Sequence, residues 1–148
     1  MRVISLLFVL STITPAISMA GLDEGIAAFE NEDYPSALAE LLPLARSGEV
    51  VAMTWLGKVY AEGLEQPGQA LPWYLKAAQK GNAEAQTRLG ELYAEGAGVE
   101  QDEEQALEWF EKAARQGDDE AQLLMGIHEQ DVLGDNPLAR DWFEKSAE

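Results

Sequence analysis

The sequence predicts an all-α solenoid of four antiparallel helical hairpins, and three observations carry that prediction. A glycine recurs inside helical patterns at Gly57, Gly90 and Gly126, 33 and then 36 residues apart. Each is followed by an Ala-x-x-Trp-aromatic-x-Lys-small-Ala run: Ala70 to Ala78 with Trp73 and Tyr74, Ala106 to Ala114 with Trp109 and Phe110, and Ala139 to Ala147 with Trp142 and Phe143. The tryptophans lie 36 and then 33 residues apart. A period in this range marks stacked helical hairpins, and such stacks work mostly by presenting a surface to a partner.

Residues 1–20 read as an export signal: Met1-Arg2, an apolar run from Val3 to Ile13, Pro15, and the small residues of Ser18-Met-Ala20 before Gly21. Cleavage is expected after Ala20. The apolar run is shorter than the roughly 20 residues a spanning helix needs, so no membrane insertion is expected after cleavage. Residues 21–148 then form one domain, with a first hairpin at 21–49 and three repeats at 50–82, 83–118 and 119–148.

The eight expected helices are 22–31 and 35–47, 50–62 and 69–80, 83–95 and 103–116, then 119–130 and 137–147. Apolar periodicity supports them, as in Leu89, Leu92 and Tyr93 followed by Leu107, Phe110 and Ala114. Gly48, Gly81 and Gly117 follow polar last turns and are expected to close helices in the left-handed conformation. Pro35 and Pro137 suit first turns, Pro72 lies just inside its helix, and Pro43 is interior, where a bend is expected. The acidic loop Gly96–Glu104 is three residues longer than its counterpart after Gly63, and Asp131–Asn136 is read as the matching loop of the last hairpin. An interior glycine costs about 1 kcal/mol against Ala. Three at one position imply close helix packing, and Ala70, Ala106 and Ala139 are the expected small partners across each hairpin.

Charge narrows the function classes. The chain carries 10 Lys and Arg against 27 Asp and Glu, a formal charge of −17, with one His and no Cys. The acid concentrates in residues 101–148, with 14 acidic against 4 basic residues. Such a surface repels phosphate backbones and anionic lipid, so nucleic acid is not an expected partner, whereas a basic protein partner is compatible. Excess acid also serves simple solubility. An exported chain without disulfides must be held by packing alone, which suits a periplasm at least as well as an extracellular space.

These residues resemble the Sel-one-like repeats, relatives of the tetratricopeptide repeats. The match runs through Ala85-Gln86, Leu89-Gly90, Tyr93, Gly96, Gly98-Val99, Asp102, Ala106-Leu-Glu-Trp109-Phe110-Glu-Lys112-Ala-Ala114 and Gly117. The repeat at 50–81 matches with a shortened loop. At 119–147, Glu129 replaces the tyrosine of Tyr60 and Tyr93, and Val132 replaces the loop glycine. The first hairpin, with Phe29, Tyr34, Ala37 and Leu38, is more similar to a tetratricopeptide start. The resemblance covers about 125 residues. It implies a right-handed superhelix, protein–protein interaction or scaffolding, often in exported bacterial proteins, and no shared catalytic residues. A cysteine-rich branch is linked to penicillin binding or hydrolysis, and this chain lacks those cysteines.

Catalytic chemistry finds little to stand on. His128 aligns with Val59 and Leu92 and is expected to pack, with no His or Cys to join it at a metal. Asp102-Glu-Glu104 and Asp118-Asp-Glu120 sit where helices start, complementing the helix dipole. No phosphate loop or nucleophile elbow is present. No enzyme activity, cofactor or metal is expected.

The expected function is therefore a non-catalytic interaction module or adaptor, periplasmic or secreted, holding a protein or peptide in its concave groove. The alternative is a cell-wall-associated enzyme or a regulator of an envelope enzyme. Counting from the interior glycines places Thr54, Lys58, Glu62, Thr87, Glu91, Glu95, Leu123 and Ile127 in the groove. Trp55 is either an anchor for the partner or a cap on the step between the first two hairpins. Trp142 and Phe143 are expected to have no next hairpin to cover them. They form a candidate end interface, giving a monomer or an end-to-end homodimer, unless the ring folds down onto helix 119–130.

Overall fold

The computed structural model describes residues 15–133 and 137–147. Over these residues the chain is helical throughout, in the order α1 (Pro15–Glu30), α2 (Tyr34–Ser47), α3 (Val50–Lys58), a π-helical turn (Val59–Gly63), α4 (Pro67–Gln79), α5 (Ala83–Glu95), α6 (Glu103–Ala114), α7 (Asp119–Leu133) and α8 (Pro137–Ser146). Each helix packs on the one before and the one after it, which makes an α-solenoid of four hairpins.

Local chemistry fixes the ends. Asp33, Asn82 and Asp102 accept the backbone N–H three residues on, Asn82 Oδ1 from Ala85 at 2.8 Å and Asp102 Oδ1 from Gln105 at 3.0 Å. Asp118 does the same for Ala121 at 2.9 Å. The acidic clusters at 102–104 and 118–120 thus begin helices, as expected. Gly48, Gly81 and Gly117 are left-handed, with φ of 104°, 91° and 89°. Pro35 stands in the first turn of α2, and α2 continues through Pro43.

The helix bounds depart from expectation in three places. α1 starts at Pro15 and runs through the expected cleavage point; most of the expected signal, residues 1–14, lies outside the described residues. α7 continues to Leu133, so the first half of the expected loop at 131–136 is helical, and 134–136 fall outside the described residues. The helix expected over 50–62 changes to a π turn at Val59. Leu64 N–H bonds Val59 O at 2.9 Å, and the wider turn sets Gly63 against the Tyr34 ring of the first hairpin.

The three repeats share one packing device. Tyr74, Phe110 and Phe143 lay their rings on Gly57, Gly90 and Gly126, and any Cβ there would come within 3.0 Å of the ring. The expected small partners Ala70, Ala106 and Ala139 are joined at this position by a ring that the sequence count does not assign. Those alanines are buried, at 0%, 2% and 3% exposure, but the glycines make room for an aromatic face. Gly90 also approaches its alanine, with Ala106 O 3.1 Å from the position of a Cβ. The companion tryptophans lie outside this contact. Lys76, Lys112 and Lys145 cover Trp73, Trp109 and Trp142, 4.7, 4.0 and 4.6 Å from the ring centroids, which explains the Trp-x-x-Lys spacing.

Glutamines tie one hairpin to the next. Gln86 and Gln122, four residues before Gly90 and Gly126, are buried and donate to Ala78 O and Ala114 O, both at 3.1 Å. Gln116 Nε2 donates in turn to Gln86 Oε1 at 2.7 Å. The first repeat has Met53 at this position, buried without a polar group to satisfy. Replacing Gln86 by Leu should therefore destabilise the chain by about 2 kcal/mol, because Ala78 O and Gln116 lose a buried partner. Urea unfolding should show it, and Gln86→Leu matching wild type would mean that the amide carries no stability.

Candidate functional site

The first helices of successive hairpins, α3, α5 and α7, are joined by polar contacts. Lys58 Nζ pairs with Glu84 at 3.0 Å, and Arg88 reaches Glu120 of α7 with Nη2 at 3.0 Å. Thr87 Oγ1 donates within 2.9 Å of Asp118 Oδ1, the same carboxylate that caps α7. These contacts join the three helices side by side at Lys58, Arg88 and Thr87.

A cavity of about 480 Å³ opens between the hairpins of α3–α4 and α5–α6. Ala61, Glu62 and Glu65 line one side of it; Arg88, Glu91, Leu92 and Glu95 line the other; Pro67, Tyr74 and Ala97 complete the wall. Glu62, Glu91 and Glu95, all expected in the groove, therefore meet in one place. Glu91 is held by Arg88 Nη1 at 2.9 Å, and burial raises its carboxyl above the usual range against the pull of Arg88. Tyr74 reaches the cavity from α4 beneath. It is 1% exposed, and its hydroxyl has no hydrogen-bond partner; Arg88 Nε is a second buried donor without one. Burial first, then the neighbouring Glu62, keeps the phenol far above its ordinary pKa and so neutral.

The other expected residues divide. Thr54 and Thr87 are each 1% exposed and cannot touch a partner, a correction with a simple cause. The Thr54 hydroxyl is satisfied by the carbonyl one turn back, Val50 O at 3.2 Å, and that of Thr87 by Asp118, with Ala83 O the alternative acceptor at 3.2 Å, so burial leaves neither unpaired. Leu123 holds the equivalent position in α7 and is 45% exposed, with Ile127 one turn on at 44%. Lys58 is engaged twice, by Glu84 and by the Trp55 ring 4.1 Å away. Trp55 meets Phe29 edge-on at 5.5 Å, so it caps the step between the first two hairpins. His128 is half-buried, packing near Leu107 and Leu124 with Nδ1 3.8 Å from Glu103. Phe143 is folded down on Gly126, while Trp142 is half-buried beneath Lys145. Among the described residues, no three His, Cys, Asp or Glu side chains are grouped to hold a metal, and no helix is long and apolar enough to cross a membrane.

The Sel1 repeat model matches residues 50–82, 83–118 and 119–148. The chain belongs to the Sel1 repeat family. Sel1 repeats are in general protein–protein interaction modules, and no catalytic family is indicated. Among solved structures, the chain is 36% identical, with a TM-score of 0.79, to a protective antigen of uropathogenic Escherichia coli strains that displays an SLR fold. That match covers 88% of this chain and 30% of the antigen, so the chain spans under a third of that protein. A Sel1 repeat protein from Oxalobacter formigenes is 35% identical, with a TM-score of 0.69, over 74% of this chain and 88% of that one. No curated protein matches the sequence.

Of the polar residues lining the cavity, the glycine count does not reach Glu65, Tyr74 and Arg88. Tyr74 was absorbed into the repeated aromatic position. The available signal was its hydroxyl: the other two repeats have Phe110 and Phe143 there. Arg88 stood out only as the charged counterpart of Trp55 and Leu124.

Proposed function

We propose that this Sel1 repeat chain is a non-catalytic adaptor that seats a protein or peptide segment on the face formed by α3, α5 and α7. The observation that carries the reading is the convergence of Glu62, Glu91 and Glu95 from two hairpins on one cavity. On α7, exposed Ile127 holds the position of Glu91, and exposed Leu123 lies one turn before it. An acidic hollow beside an apolar step suits an extended or helical segment with a basic and an apolar side chain. The signal-like residues 1–20 favour export to the periplasm or beyond, and a relative named as a protective antigen is in keeping with that.

The test compares the wild-type chain with a Glu95→Lys/Ile127→Asp variant of unchanged circular dichroism as baits for envelope proteins. Any partner retained by wild type should bind the variant at least about ten-fold more weakly. It should bind an Arg115→Ala control, at the C-terminal end of α6, as it binds wild type. Equal binding by both variants would move the interface away from this face, with Trp142 at the end of the stack the next place to examine.

A further inference from the structure

The cavity between the first two Sel1 repeats has a specific occupant in its chemistry, and the inference rests on the groove reading above. We propose that it is a receptor for one arginine side chain of the partner, whose guanidinium enters among Glu62, Glu65 and Glu95 and meets the Tyr74 hydroxyl at the base.

Charge sets the sign of the occupant. Four carboxylates line the cavity, and the only cation lining it among the described residues, Arg88, is already engaged by Glu91 and Glu120. The side chains of Glu62, Glu65 and Glu95 have no hydrogen bond or ion pair among the described residues. A cation is attracted there, and an anion would meet three uncompensated like charges.

The Tyr74 hydroxyl is an independent pointer. Packing on Gly57 requires the ring alone, since Phe110 and Phe143 fill the same role on Gly90 and Gly126. The oxygen is therefore surplus to the fold, and leaving it buried and unpaired is unfavourable by about 1–3 kcal/mol. A guanidinium supplies the missing donor to the phenol oxygen. With Leu92, Pro67, Ala61 and Ala97 in the wall, the hollow is also partly apolar and suits the methylene stem. Arg is preferred to Lys because its planar fork reaches several carboxylates at once and is more weakly hydrated.

The experiment titrates the isotopically labelled full chain with acetyl-arginine amide, acetyl-lysine amide and the neutral isostere acetyl-citrulline amide, following backbone amide shifts. Saturable shifts at Glu62, Glu91 and Glu95 are expected, strongest for arginine and absent for citrulline. Affinity for the arginine probe should fall about ten-fold in Glu62→Gln/Glu95→Gln and about three-fold in Tyr74→Phe. Phe is the residue the other repeats use, so the Tyr74→Phe variant keeps its packing. Citrulline binding as well as arginine, or no saturation with either cation, would overturn the arginine receptor. A random peptide library selected on the same chain separates this from the wider reading. Peptides sensitive to Glu95→Lys/Ile127→Asp but lacking a required Arg would keep the groove and overturn the receptor. Peptides insensitive to both variants would overturn the two together.

Discussion

Replacing Gly90 by Ala is expected to destabilise the chain by about 2 kcal/mol, although Ala is the better helix former by about 1 kcal/mol. The added methyl would lie 2.5 Å from Phe110 Cε1 and 3.1 Å from Ala106 O. The ring is 6% exposed and wedged in its core, and the carbonyl belongs to the backbone of α6, so neither can yield cheaply. Urea unfolding gives the sign directly. In a Phe110→Leu background the same substitution should cost much less, since the ring edge that meets the methyl is gone; a full-sized effect there would refute the ring contact as its cause. A Gly90→Ala chain more stable than wild type would show that propensity, not packing, decides this position.

A second large effect is expected at Gly98. Its φ is +73°, and a Cβ would collide with the backbone of Gly68 and Pro67 at the start of α4. Gly98→Ala combines left-handed strain of about 1 kcal/mol with a backbone collision of about 1–3 kcal/mol. Gly117 provides the comparison, because it too is left-handed at φ +89° but has nothing within 4 Å of where a methyl would stand. Gly117→Ala should therefore show the strain alone, and equal losses at the two sites would remove the collision from the account. The contact matters beyond stability. It clamps the long loop against Pro67, and Pro67 and Ala97 form part of the cavity wall, so Gly98→Ala should also weaken binding on that face.

The loops show how far a sequence can be read. The longer loop after α5 was legible as three extra residues in an acidic stretch, with Asp102 the expected helix start. Its purpose was not, because Gly98 finds its partner thirty residues earlier at Gly68. The two loops also close alike in a way no local pattern displays: Tyr60 O accepts from Gln66 N–H at 2.7 Å, and Tyr93 O from Asp102 N–H at 2.9 Å. In each case the carbonyl of the repeated tyrosine receives the backbone N–H of the residue that starts the next helix, whatever the loop length.

The candidate face was legible in part. Counting from the interior glycines found Glu62, Glu91 and Glu95, because residues three and four apart share a helix face. The same count placed Thr54 and Thr87 with them, and there it failed. A helical position at the edge of a groove is also at the edge of the seam between hairpins, and only the neighbouring hairpin decides which. Asp118 of the next hairpin closes over Thr87, whereas Leu123 has no such cover among the described residues.

By itself the sequence determined the all-helical hairpins, their period, their capped ends and the acidic surface. Those follow from short-range rules: apolar spacing, the hydrogen bonds of an Asp or Asn at a helix start, the freedom of a glycine at a helix end, and a sum of charges. Tertiary structure alone decided that the interior glycines receive aromatic rings, that Trp55 joins two hairpins through Phe29, and that Tyr74 and Arg88 end in the cavity with unpaired polar atoms. Each of these depends on contacts between residues 17 to 32 positions apart, where the packing of whole helices, not the preference of any segment, selects the partner.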